Sequence, residues 1–303
     1  MYLRRLGTVL SKAVNAWIDD HAQSMGAALS YYTVFSLAPL LLITIAVAGL
    51  VFGREAAQGA VVEQLQGLIG QNGAQAVQEL LKNVSKPSEG IVATITGVVV
   101  LIIGATSVFG ELQDDLNRIW QVPSTKKVAG WWAFLRARLL SIGMILALGF
   151  LLLVSLAASA AFDAFASWST SALAGWEGLA HVLNFILSFV LTTALFAIIY
   201  RFMPEATIEW RDVAIGALVT AFLFSIGKYL IGLYIGKSAL ASGFGAAGSL
   251  AVLLAWVYYS AQIFLFGAEF TWAYAHAFGS HQGKQGEPSL PHDAVGKPAV
   301  RFR

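Results

Sequence analysis

Cysteine is absent from this chain, so no disulfide framework, thiolate nucleophile or cysteine-based zinc site can be built, and no redox compartment is implied. Charge is scarce as well: Asp, Glu, Lys and Arg make up 12% of the residues, where a soluble domain carries about a quarter. That deficit excludes a water-facing surface over most of the chain. The formal net charge of +2 provides no bulk basic field, so no nucleic-acid partner is expected. A cleaved leader is disfavoured too, because Asp19, Asp20 and His21 interrupt the N-terminal region before any long apolar core. The first membrane span is expected to act as its own targeting signal.

What the chain does contain is hydrophobicity, 57% of its residues, gathered into runs at 22–52, 91–109, 139–162, 182–202, 213–235 and 246–267. Roughly twenty helical residues cross a hydrocarbon layer about 30 Å thick, and each run reaches that length or nearly so. Lone strands would leave backbone groups unsatisfied in lipid, and the runs lack the polar alternation of a barrel wall. The expected fold class is therefore all-α, a polytopic membrane protein with about six transmembrane helices.

Basic residues orient it. With the N-terminus cytoplasmic, fourteen Lys and Arg fall in inside segments, against Arg54, Lys82, Lys86 and Lys237 outside, so both termini are expected in the cytoplasm. Residues 1–21 place Leu3, Leu6, Leu10, Val14 and Trp17 at helical spacing among polar positions, which predicts an interfacial amphipathic helix. Asp19 and Asp20 suit the N-terminus of the first span, and Pro39 in its middle predicts a bend. A membrane domain then covers 22–278, with an outer helical hairpin at about 54–90. The Gly, Pro, His and Ser composition of 279–303 predicts a disordered cytoplasmic tail. No internal repeat of the inverted-transporter kind is visible.

Four separated stretches carry a family resemblance. They are Ser24-Met-Gly-Ala-Ala-Leu-Ser-Tyr-Tyr-Thr-Val-Phe-Ser-Leu-Ala-Pro39, Phe109-Gly-Glu-Leu-Gln-Asp-Asp-Leu-Asn-Arg-Ile-Trp120, Arg201-Phe-Met-Pro-Glu205 with Trp210-Arg-Asp212, and Gly245-Ala-Ala-Gly-Ser-Leu250 with Trp256-Val-Tyr-Tyr-Ser-Ala-Gln262 and Gly267-Ala-Glu-Phe270. In that order, within a six-span pattern, they resemble the YihY/BrkB family of bacterial inner-membrane proteins, whose older label is ribonuclease BN. The resemblance runs from about Ala22 to His276. It implies a multi-pass protein of the inner membrane acting as a transporter or envelope factor, and some members carry the name of a virulence factor for serum resistance.

The ribonuclease label is not carried over. An RNA hydrolase needs metal-binding carboxylates and histidines, or a general acid and base, gathered in one water-filled site. His21, His181, His276, His281 and His292 are scattered, and Glu111, Asp114 and Asp115 are read as sharing one face of a short cytoplasmic helix, where they cap it and pair with Arg118 or neighbouring basic loops. Gly243-Phe-Gly-Ala-Ala-Gly248 matches a dinucleotide fingerprint but precedes a membrane helix, and Gly236-Lys237-Ser238 lacks the first P-loop glycine. No enzyme activity, cofactor or metal is expected.

Glycines have a use in packing: Gly232 with Gly236, and Gly245 with Ser249, put small residues one turn apart so that helices approach closely or hinge. Ionisable groups inside spans cost about 2.5–3.5 kcal/mol and are usually turned into cavities. Lys228 either faces such a cavity or snorkels to the outer headgroups, roughly 10 Å away. Tyr31, Tyr32 and Ser36 on the first span and Tyr258, Tyr259 and Gln262 on the sixth form polar faces that line a substrate path or make interhelical hydrogen bonds. Glu269 is expected to pair with Arg201 or Arg211 or with a lipid-adjacent basic group, or else to couple protons. The functional expectation is a transporter or flippase-like protein for an amphiphilic or anionic envelope compound. The alternative is a non-transporting scaffold for envelope factors. Membrane lipids are the expected partners, and oligomeric state is left open.

Overall fold

The computed structural model describes residues 2–59, 61–63, 107–123, 176–237 and 246–282, with single positions at 66, 74, 77, 78 and 143. All regular structure among the described residues is helical. The elements are α1 (Tyr2–Asp19), α2 (Ala22–Phe52), α3 over 107–119, α4 (Trp176–Phe202), α5 (Trp210–Lys237) and α6 (Ala246–Ala277). Apolar residues occur on every side of α2, α4, α5 and α6, whereas α1 is strongly one-sided. Among the described residues, three helices contain an apolar window long enough to cross a bilayer: Phe185–Phe202, Trp210–Ile231 and Leu250–Ala277. The runs expected at 91–109 and 139–162, most of the outer hairpin and the tail beyond 282 lie almost wholly outside the described residues.

Helix α6 is the hub, touched by α1, α2 and α5, while α4 packs on α5. One core joins Met25 and Leu29 of α2, Leu116 and Ile119 of α3, Phe196 and Tyr200 of α4, Val213 and Ala217 of α5, and Phe264 and Leu265 of α6. A second core, towards the other end of α6, joins Val34, Leu41 and Ile45 to Leu253 and Val257 and receives Val61 and Val77 from the hairpin region.

Three features refine the sequence reading. Helix α6 runs through Glu269 to Ala277, ten residues past the expected end at Gly267, because the helix buries that carboxyl instead of stopping before it. The start of α2 is not capped by Asp19 or Asp20. His21 holds the N-cap position in the left-handed region (φ 58°, ψ 42°) with no side-chain cap bond, and its Nδ1 lies 2.8 Å from the carbonyl oxygen of Asp19. This turn frees Asp20 to point elsewhere. Finally, α1 docks on α6 by one stripe, Val9 and Ala13 against Phe270 and Ala273, and presents Leu10, Val14 and Ile18 outward, four residues apart. A second apolar stripe left exposed is what a helix seated against lipid would present.

Candidate functional site: the seam where α1, α2 and α6 meet

Helix α6 carries two polar faces with different fates. Gly267 and Thr271, one turn apart, face α5. Thr271 sits over Gly216, and the hydroxyls of Thr220 and Tyr200 sit over Gly267, so closely that a Cβ at either glycine would overlap them. Every hydroxyl here is satisfied. Thr220 donates to the Gly216 carbonyl at 2.7 Å and Thr271 to the Gly267 carbonyl at 2.7 Å. The buried Tyr200 hydroxyl donates to the Phe264 carbonyl at 2.7 Å and lies 3.1 Å from Thr220 Oγ1, tying α4, α5 and α6 together.

Gln262 and Glu269, seven residues apart and so two turns along one face, look instead towards the α1–α2 junction. Gln262 Nε2 donates to the Ala22 carbonyl at 3.3 Å and lies directly over Gly26, while its buried Oε1 has no partner. Glu269 is 1% exposed, and neither of its oxygens meets a donor. It faces Asp20 closely enough for the two carboxyls to interact. Arg118 Nε of α3 approaches Asp20 Oδ1 at 4.0 Å. Burial pushes the Asp20 carboxyl above its ordinary range, against the lowering effects of the Glu269 contact and the Arg118 charge.

The acidic residues of α3 interact along one side of the helix, but their exposure differs. Asp114 is exposed, Glu111 half-buried and Asp115 only 6% exposed, with its Oδ2 unpartnered. Burial, then the charges of Glu111 and Asp114, push Asp115 up to about 7, while Arg118 opposes the rise. Glu111 is raised by burial and by Asp114. Arg118 reaches across to Asp20 instead of closing an ion pair within α3. Among the described residues no group of three or more His, Asp and Glu is arranged to hold a metal ion.

Glu269 meets neither of the arginines expected for it. Arg201 donates to the Ile208 carbonyl and holds its guanidinium 5.7 Å from the Trp210 ring centre. Arg211 lines a separate cavity of about 480 Å³ at the α4–α5 turn, with Thr207, Glu209, Ser280 and His281. Both are held at the turn. Asp212, which the sequence reading passed over, is buried and accepts from the Ser280 backbone N–H at 3.0 Å and from its hydroxyl at 2.7 Å, latching the end of α6 to the start of α5. The signal available was an acidic residue in a first helical turn.

The remaining expected residues separate. Tyr31 and Tyr32 are exposed and touch each other edge-on, and Tyr31 also meets Phe35. Ser36 is buried but donates to the Tyr32 carbonyl at 2.6 Å, so its hydroxyl is used within its own helix. Tyr258 is partly outward. Tyr259 and Gln262 line a groove of about 450 Å³ between α1, α5 and α6, walled by Val14, Trp17, Ile226 and Ile263 among others. Lys228 stands on the exposed face of α5 beside Tyr229 and Leu230 and borders neither cavity. Gly232 and Gly236 belong to α5, Ser249 to α6 and Pro39 to α2; their contacts, and Gly245 itself, lie outside the described residues. The close small-residue contacts that the structure does describe on α5 are at Gly216 and at Gly227, which meets Ile263 and Tyr259.

Helices long and apolar enough to span a bilayer, with ionisable groups buried between them, define a helical membrane protein. The profile of the Virulence factor BrkB family matches residues 13–290, and the chain belongs to that family. It is similar to a protein named UPF0761 membrane protein in Alcanivorax borkumensis, 27% identical over 275 residues, which cover 89% of this chain and 60% of that one. A UPF0761 membrane protein of Pseudomonas paraeruginosa is 29% identical over 83% of this chain and 59% of its own length, and one of Ralstonia nicotianae 27% over 82% and 55%. The chain thus spans less than two thirds of the length of these relatives. No solved structure matches it.

Proposed function

We propose that the chain is a multi-pass protein of the bacterial inner membrane, crossing six times with both termini cytoplasmic, and that it moves an amphiphilic or anionic envelope compound between leaflets. In this reading it works as a flippase-like transporter, without catalysis or a bound cofactor. The observation that carries the reading is the groove between α1, α5 and α6. Its walls are apolar along Leu223, Ile226 and Ile263, yet Tyr259 and Gln262 bring polar side chains to its wall. An acyl chain matches the first chemistry and a polar head group the second. Lys228 on the neighbouring exposed surface of α5 supplies a cation at the lipid boundary.

The test is reconstitution of the protein in vesicles containing fluorescent phosphatidylglycerol, followed by bleaching from outside with dithionite. Protein-dependent bleaching of inner-leaflet probe is expected, slowed several-fold by Ile226→Trp, which fills the groove from its exposed edge, and by Gln262→Leu. Folded protein that moves neither anionic nor zwitterionic probes would favour the scaffold reading, which draws on the exposed apolar faces of α4 and α5 at Phe185, Phe222 and Tyr229.

A further inference from the structure

Two buried carboxyls have opposite surroundings. Asp212 is fully paired, with two donors from Ser280. Glu269, equally buried, has none, and the polar group it faces is a second carboxyl, that of Asp20. Besides this pair, the charged and titratable groups facing the seam are Asp19 and His21 from the junction and Arg118 from α3. One guanidinium, half-exposed and 4.0 Å from Asp20, stands against the three acidic groups Asp19, Asp20 and Glu269, so a charge on buried Glu269 has no cation in contact in a medium that tolerates it poorly. A proton between the carboxyls removes the repulsion and supplies the missing donor in one step.

We propose that Glu269 and Asp20 bind one proton between them, and that this shared proton clasps the α1–α2 junction onto α6. With the proton in place, α1 is held by the carboxyl pair together with the Val9 and Ala13 contacts, and the Gln262 bond to Ala22 closes the seam beside it. Loss of the proton puts two like charges against each other at the left-handed turn at His21, where the neighbouring Gln262 bond is long at 3.3 Å. The junction then parts from α6 at the edge of the groove bounded by Trp17 and Gln262. Use of this proton to drive transport rests on the transporter reading; the proton site itself does not.

Infrared difference spectra of the full chain in lipid nanodiscs, taken across a pH series, test for the site. A carbonyl stretch of a protonated carboxylic acid is expected that fades as pH rises and is missing from Glu269→Gln. The cysteine-free sequence permits spin labels at Asn15→Cys on α1 and Leu218→Cys on α5, both exposed. Their distance should lengthen with pH in the otherwise native chain and stay at its low-pH value in Glu269→Gln. Asp20→Asn, at a partly exposed position, should show the same frozen distance and keeps the test decisive if Glu269→Gln does not fold. A band unaffected by Glu269→Gln, or a label distance that ignores pH or follows it equally in the variants, overturns the proposal. None of these readouts needs a transported substrate. A chain that passes them yet moves no lipid retains the proton site and refutes only transport, and flux with an unaltered band does the reverse.

Discussion

The two polar stretches of α6 belong to one helix, yet the hydroxyls around Gly267 and Thr271 are satisfied while Glu269 and the Gln262 carbonyl oxygen are not. Towards α5, small residues let backbones approach and each hydroxyl finds a carbonyl, so the α4–α5–α6 unit is rigid and electrically quiet. Towards the α1–α2 junction, Glu269, the Gln262 carbonyl oxygen and the Trp17 indole N–H are buried with no hydrogen-bond partner. Unsatisfied polar groups cost stability and are the exception in folded proteins; besides these three residues at the seam, Trp256 beside Phe224 of α5 and Asp115 of α3 also carry one among the described residues.

A larger pH effect is expected outside both faces, on α3. Asp115 is raised from 3.8 to about 7, so the folded protein holds its proton more tightly than the unfolded chain does. The resulting stabilisation is complete below its unfolded value and is lost as pH climbs through about 7, an effect on the order of a few kcal/mol. Thermal unfolding in detergent should therefore show a melting temperature that falls over this window, and Asp115→Asn should flatten the fall. A melting temperature that rises instead would show that Asp115 does not hold its proton more tightly in the folded chain.

Substitutions on the satisfied face come next in size. Gly216→Ala and Gly267→Ala each force a methyl into Thr271 or into Thr220 and Tyr200, and each should cost about 1–3 kcal/mol in reversible unfolding without changing its pH profile. Gly7→Ala, with open space around it on α1, should gain up to about 1 kcal/mol in the same assay. Tyr200→Phe deletes one interhelical donor and should cost about 0.6 kcal/mol, at most about 1.7. Lys228→Ala, on the exposed surface, should leave stability within about 0.5 kcal/mol and should slow anionic probe lipids relative to zwitterionic ones in the vesicle assay.

Much of the architecture was legible in the runs themselves. The helices at α2, α4, α5 and α6 fall where the apolar stretches predicted, since period and length suffice to locate a helix that must satisfy its own backbone. The interior of the site was less legible. Gln262 and Glu269 were singled out as polar residues in a span, but the partner of Glu269 was sought among basic residues at the same end of the bundle, because opposite charges attract. Asp20 was read as a helix cap, because acidic residues before a helix usually are. Asp115, like Asp114, is expected from the sequence to cap its helix or pair with Arg118, and only the docking of α3 under α2 and α4 shows that the two adjacent carboxyls have opposite exposure.

Hydrocarbon as the solvent, and helices as the way to live in it, were determined by sequence alone, because they depend on how much polar surface the chain has and on how far apart it lies. Which buried carboxyl meets which neighbour was decided by the tertiary structure. A single left-handed residue at His21 and the side-to-side approach permitted by Gly26 set that meeting, and neither leaves a trace in the hydrophobic pattern.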